Sequence, residues 1–296
     1  MSHLTIEEQL GKLRQSTMEE SPIAVFDCDG TIIKGDVGEA MLYFQIERFL
    51  FRESPADLLP DHPQGDDLRL LYNSLVRFPP QQLTEDPRFV PFANLILSRY
   101  FDQLAEGETE KACGDIVRLL AGFTPVEVLE MSADTLRIEF DSPLLERSLG
   151  NYTVSSGVRY IKEVRELLAE CQRFEFDIWV ISGSNRWIVE EVCRPLGIPP
   201  DHVIGIELEL SRDAYSSVLN SPIPVREGKV QAMQTLNLRQ PVIVVSDSSY
   251  DLPLFQYSEG LKVLVRSNHT ESDFFERGGV VYDESWFVID HPTLES

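Results

Sequence analysis

Short apolar runs alternate with amphipathic stretches along most of this chain. The run Ile23–Phe26 contains no polar residue, as is typical of a parallel strand covered on both faces. Comparable runs follow at 177–184, 241–248, 261–267 and 279–283. Helical patterns lie between them, at 158–174, 185–197 and 228–237. Strands that alternate with helices predict an α/β fold with a doubly wound, Rossmann-like parallel sheet.

A long helical insertion interrupts this alternation between residue 37 and about residue 150. Its amphipathic stretches are 38–51, 66–78, 88–105, 110–123 and 125–140. We therefore predict an α/β core formed by residues 1–36 and 151–296. Residues 37–150 are predicted to form an all-helical cap domain, inserted after the first core strand.

The chain is strongly acidic, since 49 Asp and Glu against 26 Lys and Arg give a formal net charge of -23. Such a charge repels nucleic acid and anionic membranes, and the sequence has no basic cluster that would offset it locally. We expect no nucleic-acid partner and no membrane partner. A phosphate site in this chain needs its own local positive charge, from a metal ion, a lysine or backbone N–H groups.

The sequence contains no uncharged apolar run of about 18 residues, the length that a transmembrane helix needs. The N-terminal stretch is polar and lacks the basic and then apolar layout of a signal peptide. We therefore expect a cytoplasmic protein. The sequence leaves open whether the chain forms a homodimer.

The four cysteines give no sign of a metal site or a disulfide framework. They are Cys28, Cys113, Cys171 and Cys193, and no two of them form a CxxC pair. Cys28 stands between two aspartates. Because free cysteines are commonly buried as small apolar residues, we expect Cys28 to face away from any site.

Residues capable of chemistry stand at the ends of three predicted strands. The ends of parallel strands meet at one edge of an open α/β sheet, where ligands bind. We therefore expect these side chains to share one site. They are Asp27, Asp29, Ser182, Gly183, Asp247 and Asp251.

Carboxylates that are crowded in this way repel each other unless they share protons or hold a cation. Mg²⁺ suits such a site, because it accepts a few carboxylates and completes its shell with water and substrate phosphate. One aspartate can then act as a nucleophile while its neighbour handles the proton. Lys229, at the start of the helix before the third of these strands, can offset phosphate charge.

Four short motifs follow one another in the chain: DCDGT, VISGS, EGK and SDSSYD. In order and context they resemble the motifs of the haloacid dehalogenase superfamily, and most of all its phosphoserine phosphatase-like branch. The stretch VISGSNRWIVEEV is also similar to phosphorylcholine phosphatase relatives in that branch. The resemblance covers residues 22–36 and about 155–255, and it implies that the insertion is a cap over the active site.

The resemblance implies roles for the four aspartates. Asp27 would be the nucleophile and a Mg²⁺ ligand. Asp29 would be first general acid and then general base, and would bind the metal through its backbone carbonyl. Asp247 would bind Mg²⁺ directly, with Asp251 supporting that shell.

By the same resemblance, the transferring phosphoryl group would be held by residues from three of the motifs. Ser182 and Lys229 would contact it directly. Gly30, Thr31 and Gly183 would complete the phosphate site, the glycines by allowing close approach of the backbone.

The fourth motif departs from the family pattern at two positions. Ser246 precedes Asp247 where a glycine is usual, and Tyr250 precedes Asp251 where this branch often has asparagine. The serine is a mild change unless the backbone there needs a positive φ. Tyr250 can crowd the metal shell, hydrogen-bond the substrate or pack outward. Because Asp247 and Asp251 both remain, the motif favours an active enzyme.

Two acids near the start of the insertion are the main indication of a substrate. In phosphoserine phosphatases an acid nine residues after the nucleophile faces the substrate amine, and here that residue is Asp36, with Glu39 one turn later. Asp36 also suits the N-cap of a helix, which is the favoured interpretation. The two roles are compatible.

Other side chains offer weaker indications of the leaving group. Aromatic rings beside acids can bind an alkylammonium group, although packing in the core is the commoner role. Arginines can bind a substrate carboxylate, and the sequence does not select among them. The aromatic candidates are Tyr43, Phe44 and Trp187, and the arginines are Arg77, Arg88 and Arg186.

Together these observations predict a Mg²⁺-dependent phosphomonoesterase that forms an aspartyl-phosphate intermediate. Its partner would be a small phosphate ester, similar to phosphoserine, phosphocholine or phosphoethanolamine. Two alternatives stay open. One is phosphoryl transfer to an alcohol on the same scaffold, and the other is a protein that binds phosphorylated metabolites without turnover.

Overall fold

The computed structural model describes residues 6–16, 21–83, 85–266, 283, 285–290 and 292–295. Its strands are β1 (Ile23–Phe26), β2 (Ile33–Lys34), β3 (Leu145–Leu149), β4 (Tyr152–Ser156), β5 (Arg159–Tyr160), β6 (Asp177–Asn185), β7 (Val203–Ile206), β8 (Leu208–Ser211), β9 (Ala214–Leu219), β10 (Ile243–Ser246), β11 (Leu261–Val265) and β12 (Trp286–Ile289). Its α-helices are α1 (Ile6–Ser16), α2 (Val37–Arg48), α3 (Pro55–Leu58), α4 (Gly65–Leu75), α5 (Pro80–Leu83), α6 (Phe89–Ala105), α7 (Thr109–Arg118), α8 (Pro125–Asp141), α9 (Lys162–Arg173), α10 (Arg186–Cys193), α11 (Glu227–Thr235) and α12 (Leu252–Tyr257).

The described residues form a six-stranded parallel sheet in the order β12-β11-β10-β1-β6-β7. β1 lies between β10 and β6, with Ala24 opposite Ile243 on one side and Ile178 on the other. Since β1 is first in the chain and central in the sheet, later strands are added on both sides of it. The predicted doubly wound α/β fold is confirmed.

β1 is buried on both faces, which explains why its sequence is apolar without alternation. Ala24 and Phe26 pack into one hydrophobic cluster, and Ile23 and Val25 pack into another on the opposite face. The polar residues begin where this strand leaves the sheet, at Asp27.

Most of the predicted elements have counterparts. The apolar runs at 177–184, 241–248 and 261–267 are β6, β10 and β11. β7, β12 and the small antiparallel pairs were not predicted. The strand expected at 279–283 lies outside the described residues except for Asp283.

The helical insert, α2 to α8, enters and leaves the core at one place. β2 and β5 pair antiparallel, with Ile33 opposite Tyr160, so the two ends of the insertion run side by side. After α8 the chain forms the hairpin β3–β4, which crosses residue 150. The insertion therefore includes a strand that the sequence did not indicate, and the boundary at residue 150 stays a prediction.

A second hairpin, β8–β9, contacts the helical insert from the core. The backbone N–H groups of Gly122 and Tyr215 donate to the carbonyls of Tyr215 and Phe123, at 2.8 and 2.9 Å. Arg118 donates to the carbonyl of Ser217 at 2.5 Å. These bonds attach the insert to the core at a second place, besides β2 and β5. No helix in the described part of the chain is both long and apolar enough to span a bilayer.

Candidate active site

The candidate residues converge at the C-terminal edge of the sheet. Asp27 follows β1, Gly183 lies near the end of β6, and Asp247 follows β10. These residues line a cavity of about 340 Å³ between the sheet edge and the helical insert. Asp29, Gly30, Lys229 and Asp251 line the same cavity. The expected convergence of distant motifs therefore takes place, because parallel strands end on one side of the sheet.

Lys229 is buried between two carboxylates. Its Nζ lies 2.8 Å from Oδ1 of Asp27 and 2.7 Å from Oδ2 of Asp251. Burial lowers the pKa of Lys229, but the two negative charges outweigh it and hold the pKa above its usual value. Burial raises the pKa of Asp27 well above its usual value, and the lysine acts in the opposite direction. The positive charge of this site is thus fixed beside the proposed nucleophile.

Asp29 is held by three hydrogen bonds. Its Oδ1 accepts from the backbone N–H of Val37 at 2.8 Å, and its Oδ2 accepts from the hydroxyls of Ser182 at 3.0 Å and Ser184 at 2.8 Å. Burial raises the pKa of Asp29, and these bonds moderate the rise. A carboxyl group with a raised pKa and a fixed orientation is suited to general acid–base catalysis. Ser184 was missed in the sequence, although it is the last residue of VISGS.

Asp247 is positioned by the first motif. Thr31 Oγ1 donates to Oδ1 of Asp247 at 3.2 Å and accepts from the backbone N–H of Asp247 at 3.0 Å. Gly30 has a φ of 72°, and a Cβ there would lie 2.3 Å from Oδ2 of Asp247. Burial raises the pKa of Asp247 to about 6. Gly30 is therefore required both for the turn and for the close approach of this carboxylate.

Two residues expected at the phosphate site lie behind the cavity wall. Ser182 and Thr31 are fully buried, and they contact Asp29 and Asp247 rather than the cavity itself. Gly30, Gly183 and Lys229 do line the cavity. Their roles toward a phosphoryl group stay predictions.

The two departures from the family pattern have separate consequences. Ser246 is fully buried without a positive φ, and its hydroxyl donates to Oδ2 of Asp251 at 2.7 Å. The serine therefore adds a hydrogen bond at no backbone cost. Tyr250 is 48% exposed, and its ring lies under the guanidinium group of Arg226. Tyr250 also lines the cavity, so its contact with a metal shell or a substrate stays a prediction.

The donor set is compatible with a hard divalent cation that needs few protein ligands. Asp27 and Asp247 line one cavity, and the charge of Asp247 raises the pKa of Asp27, so a cation between them would relieve that repulsion. Oδ1 of Asp251 is buried and has no hydrogen-bond partner among the described residues. In that part of the chain, no three His, Cys, Asp or Glu side chains form a complete metal site by themselves. Mg²⁺ commonly completes its shell with water and phosphate oxygens, so two carboxylates are enough.

Asp36 and Glu39 form an acidic wall of the cavity. Oδ1 of Asp36 accepts from the backbone N–H of Glu39 at 2.8 Å, so the predicted N-cap of α2 is present. Glu39 accepts from the hydroxyls of Tyr43 at 2.7 Å and Tyr100 at 3.2 Å. Burial and the charge of Asp29 raise the pKa of both acids, and the charge of Glu39 raises that of Asp36 further. Both also border a second cavity of about 550 Å³, which adjoins the first.

Several weaker candidates lie away from the first cavity. Trp187 packs on Tyr215 with ring centroids 4.5 Å apart, and Phe44 is buried in the core. Arg186 pairs with Glu190 and Arg88 with Asp86. Neither these residues nor Arg77 line the cavity. Cys28 is fully buried, as expected.

Residues 139–256 match the family model of haloacid dehalogenase-like hydrolases. The matched stretch contains three of the four motifs, VISGS, EGK and SDSSYD, and agrees with the resemblance noted in the sequence. No protein of curated function matches the sequence significantly.

Solved structures share the fold at low sequence identity. A conserved protein of unknown function from Anaerococcus prevotii is 17% identical and has a TM-score of 0.72. The match covers 92% of this chain and 87% of the other. A protein of unknown function from Bordetella pertussis is also 17% identical, with 92% and 99% coverage and a TM-score of 0.56. A substrate-bound phosphoserine phosphatase is a more distant neighbour at 12% identity, 85% and 90% coverage and a TM-score of 0.45. The first two establish the fold.

Proposed function

We propose that this chain, which carries a haloacid dehalogenase-like hydrolase domain, is a Mg²⁺-dependent phosphomonoesterase that acts on a small phosphorylated metabolite. The observation that carries the proposal is the buried lysine that bridges two aspartates. Lys229 holds Asp27 and Asp251 together at the sheet edge, next to Asp29 and Asp247. A carboxylate beside a fixed cation, with a second carboxyl group nearby, supplies the groups that phosphate-ester hydrolysis through a covalent intermediate requires.

Asp27 is the nucleophile in this proposal. Its carboxylate oxygen attacks phosphorus, the bond from phosphorus to the ester oxygen breaks, and an aspartyl-phosphate forms. Lys229, which already contacts Asp27, offsets negative charge next to the reacting group. Asp27 is buried, so the intermediate is kept from bulk water until the second step.

Asp29 handles the proton in both steps. Burial raises the pKa of Asp29, which favours its protonated form, and in the first step that proton goes to the leaving oxygen. The resulting carboxylate then takes a proton from water while the water oxygen attacks phosphorus. The bond between phosphorus and the Asp27 oxygen breaks, which releases inorganic phosphate and restores the carboxylate of Asp27. The hydroxyls of Ser182 and Ser184 keep this carboxyl group in one orientation throughout.

The residues that would hold the metal are Asp27, Asp247 and the backbone carbonyl of Asp29, with Asp251 behind them. A bound Mg²⁺ supplies neutralisation of phosphate charge and a fixed orientation of the phosphoryl group. Thr31 and Gly30 keep Asp247 in place for this purpose.

A panel of phosphate esters tests the proposal. We expect release of inorganic phosphate from p-nitrophenyl phosphate and from at least one small metabolite ester with Mg²⁺ present, and loss of turnover with excess EDTA that is restored by Mg²⁺. Added alcohols should give no phosphorylated product, since transfer to them would favour the phosphotransferase alternative. Ester binding without turnover across the whole panel would contradict the phosphatase and favour the non-catalytic alternative.

The acidic wall favours a cationic leaving group. Glu39 is held by two tyrosine hydroxyls and faces the cavity with Asp36, so an ammonium group there would meet fixed negative charge. This agrees with a substrate similar to phosphoserine, phosphoethanolamine or phosphocholine.

Glu39→Gln should reduce the preference for cationic substrates. Phosphoethanolamine and 2-hydroxyethyl phosphate differ in an amine against a hydroxyl, and we expect their kcat/KM ratio to fall about tenfold, equivalent to about 1.4 kcal/mol. The matched control is Glu130→Gln, because Glu130 is exposed on α8 and does not line the cavity. An unchanged ratio in Glu39→Gln would refute the role of this wall while leaving the phosphatase proposal intact.

A further inference from the structure

Arg226 lines the same cavity as Asp27 and Lys229, and the sequence analysis did not single it out. It is the N-cap residue of α11, three positions before Lys229, and its carbonyl accepts from the backbone N–H of Lys229 at 3.1 Å. Its Nε is buried and has no hydrogen-bond partner among the described residues. A buried guanidinium donor without an acceptor is costly, so this group needs an explanation.

Arg226 differs from the other arginines with a buried Nε in the partner of its guanidinium group. Four further arginines in the described part of the chain have a buried Nε without a hydrogen bond, but each pairs with a carboxylate through its guanidinium. Arg99 and Arg118 pair with Asp115, Arg186 with Glu190, and Arg266 with Asp290. The contact of Arg226 is instead the ring of Tyr250, with 4.7 Å from Cζ to the ring centroid.

A ring contact and the local backbone both constrain Arg226. The ring of Tyr250 supports its face by a cation–π contact. The backbone of Arg226 has a φ of 53°, an unfavourable conformation for a residue with a side chain. The turn that contains it is tight as well, because a Cβ at Gly228 would lie 1.8 Å from the carbonyl oxygen of Ile223. Strain retained in this way is commonly found at ligand sites.

The charges in the cavity indicate which ligand Arg226 can take. The wall carries six acids, and Lys229 is already engaged by Asp27 and Asp251. Arg226 therefore offers donors that no described carboxylate has taken. A guanidinium group binds phosphate and carboxylate oxygens in a forked geometry.

We propose that Arg226 binds an oxyanion of the substrate, either the phosphoryl oxygens or a carboxylate on the leaving group, with Tyr250 holding it in place. This inference rests on the proposed function, because it names a group that binds the substrate of that site. The sequence-based arginine candidates, Arg77, Arg88 and Arg186, do not line this cavity.

Arg226→Ala tests the proposal, with Arg212→Ala as its matched control. Arg212 also has a positive φ, of 59°, but it is exposed in the turn of β8–β9 and does not line the cavity. We expect Arg226→Ala to lower kcat/KM by about 10- to 100-fold, the usual effect of losing a hydrogen bond between charged partners. Arg226→Lys should recover part of this loss, since a lysine keeps the charge without the fork.

Three substrates separate the two sources of the oxyanion. p-Nitrophenyl phosphate and phosphoethanolamine carry the phosphoryl group alone, whereas O-phosphoserine carries a carboxylate as well. If kcat/KM of Arg226→Ala falls for all three substrates, Arg226 binds the phosphoryl group. If it falls for O-phosphoserine alone, Arg226 binds the carboxylate. If kcat/KM of Arg226→Ala stays within twofold of Arg212→Ala on all three, the proposal is overturned.

Calorimetry keeps this test independent of turnover. Inorganic phosphate and O-phosphoserine are titrated into the wild type, Arg226→Ala and Arg226→Gln, and the melting temperature of each protein reports whether it is folded. At least tenfold weaker binding of one ligand by a folded variant supports the proposal even if no ester is hydrolysed and the phosphatase proposal fails. Equal affinity in wild type and variants, or no binding by the wild type, overturns it.

Discussion

Asp27→Asn is expected to abolish release of phosphate from p-nitrophenyl phosphate in the presence of Mg²⁺, with a fall in kcat of about a thousandfold or more. The amide has nearly the same shape but is not a nucleophile toward phosphorus, and it is a poorer ligand for a hard cation. The fold should be unaffected. Asparagine keeps the volume of the side chain, and Lys229 keeps its contact with Asp251, so the melting temperature should not fall.

Asp213→Asn is the control for this substitution, since Asp213 is exposed in the β8–β9 turn and does not line the cavity. It makes the same chemical change and removes the same charge. Full turnover in Asp27→Asn would reject the aspartyl-phosphate mechanism. Loss of turnover in both variants would point to the overall charge of the chain rather than to the nucleophile.

Lys229→Met is expected to remove activity and to destabilise the fold at once. The variant leaves Asp27 and Asp251 buried without the ammonium group that now lies 2.8 and 2.7 Å from them. An unpaired buried charge commonly costs about 3–5 kcal/mol, so the free energy of unfolding at pH 7 should fall by about that amount. Urea unfolding of the metal-free protein measures it.

The loss of stability in Lys229→Met should depend on pH, because folding and proton binding are linked. Lys229 lowers the pKa of Asp27, so its removal raises that pKa further in the folded state while the unfolded value stays near 3.8. A raised folded pKa means that the folded protein binds more protons, so stability recovers as the pH falls through that value. The deficit of Lys229→Met should therefore be larger at pH 8 than at pH 5.

A double variant identifies the cause of the destabilisation. Lys229→Met with Asp251→Asn removes one of the two unpaired carboxylates, and we expect it to be more stable than Lys229→Met alone while still inactive. If the double variant is no more stable, the cost lies in packing of the lysine stem and not in the unpaired charge. Equal stability of Lys229→Met and wild type would contradict the bridging role altogether.

The sequence predicted the sheet because strands that are buried on both faces are continuous apolar runs in the chain. β1 has no polar residue, and the runs that became β6, β10 and β11 share this property. β7 was missed because its four residues include a glycine and give too short a run. The hairpin β3–β4 was missed because β3 is largely exposed and because the two strands contain few apolar residues.

The candidate site was predicted where its residues are adjacent in the chain or follow a strand. Asp27 and Asp29 stand directly after β1, and Asp247 stands after β10, so the topology alone brings them together. Ser184 and Ser246 were not assigned their contacts, because their hydrogen bonds to Asp29 and Asp251 depend on side-chain directions at the strand ends.

By itself the sequence determined the α/β fold, the edge of the sheet that carries the chemistry, and the acids gathered there, because periodicity and strand ends are properties of neighbouring residues. The tertiary structure alone decided that Lys229 joins Asp27 to Asp251, that Glu39 faces the cavity, and that Arg226 lies over Tyr250. Those contacts link residues from separate elements. Their geometry depends on how helices and strands pack, and a pattern along the chain does not contain it.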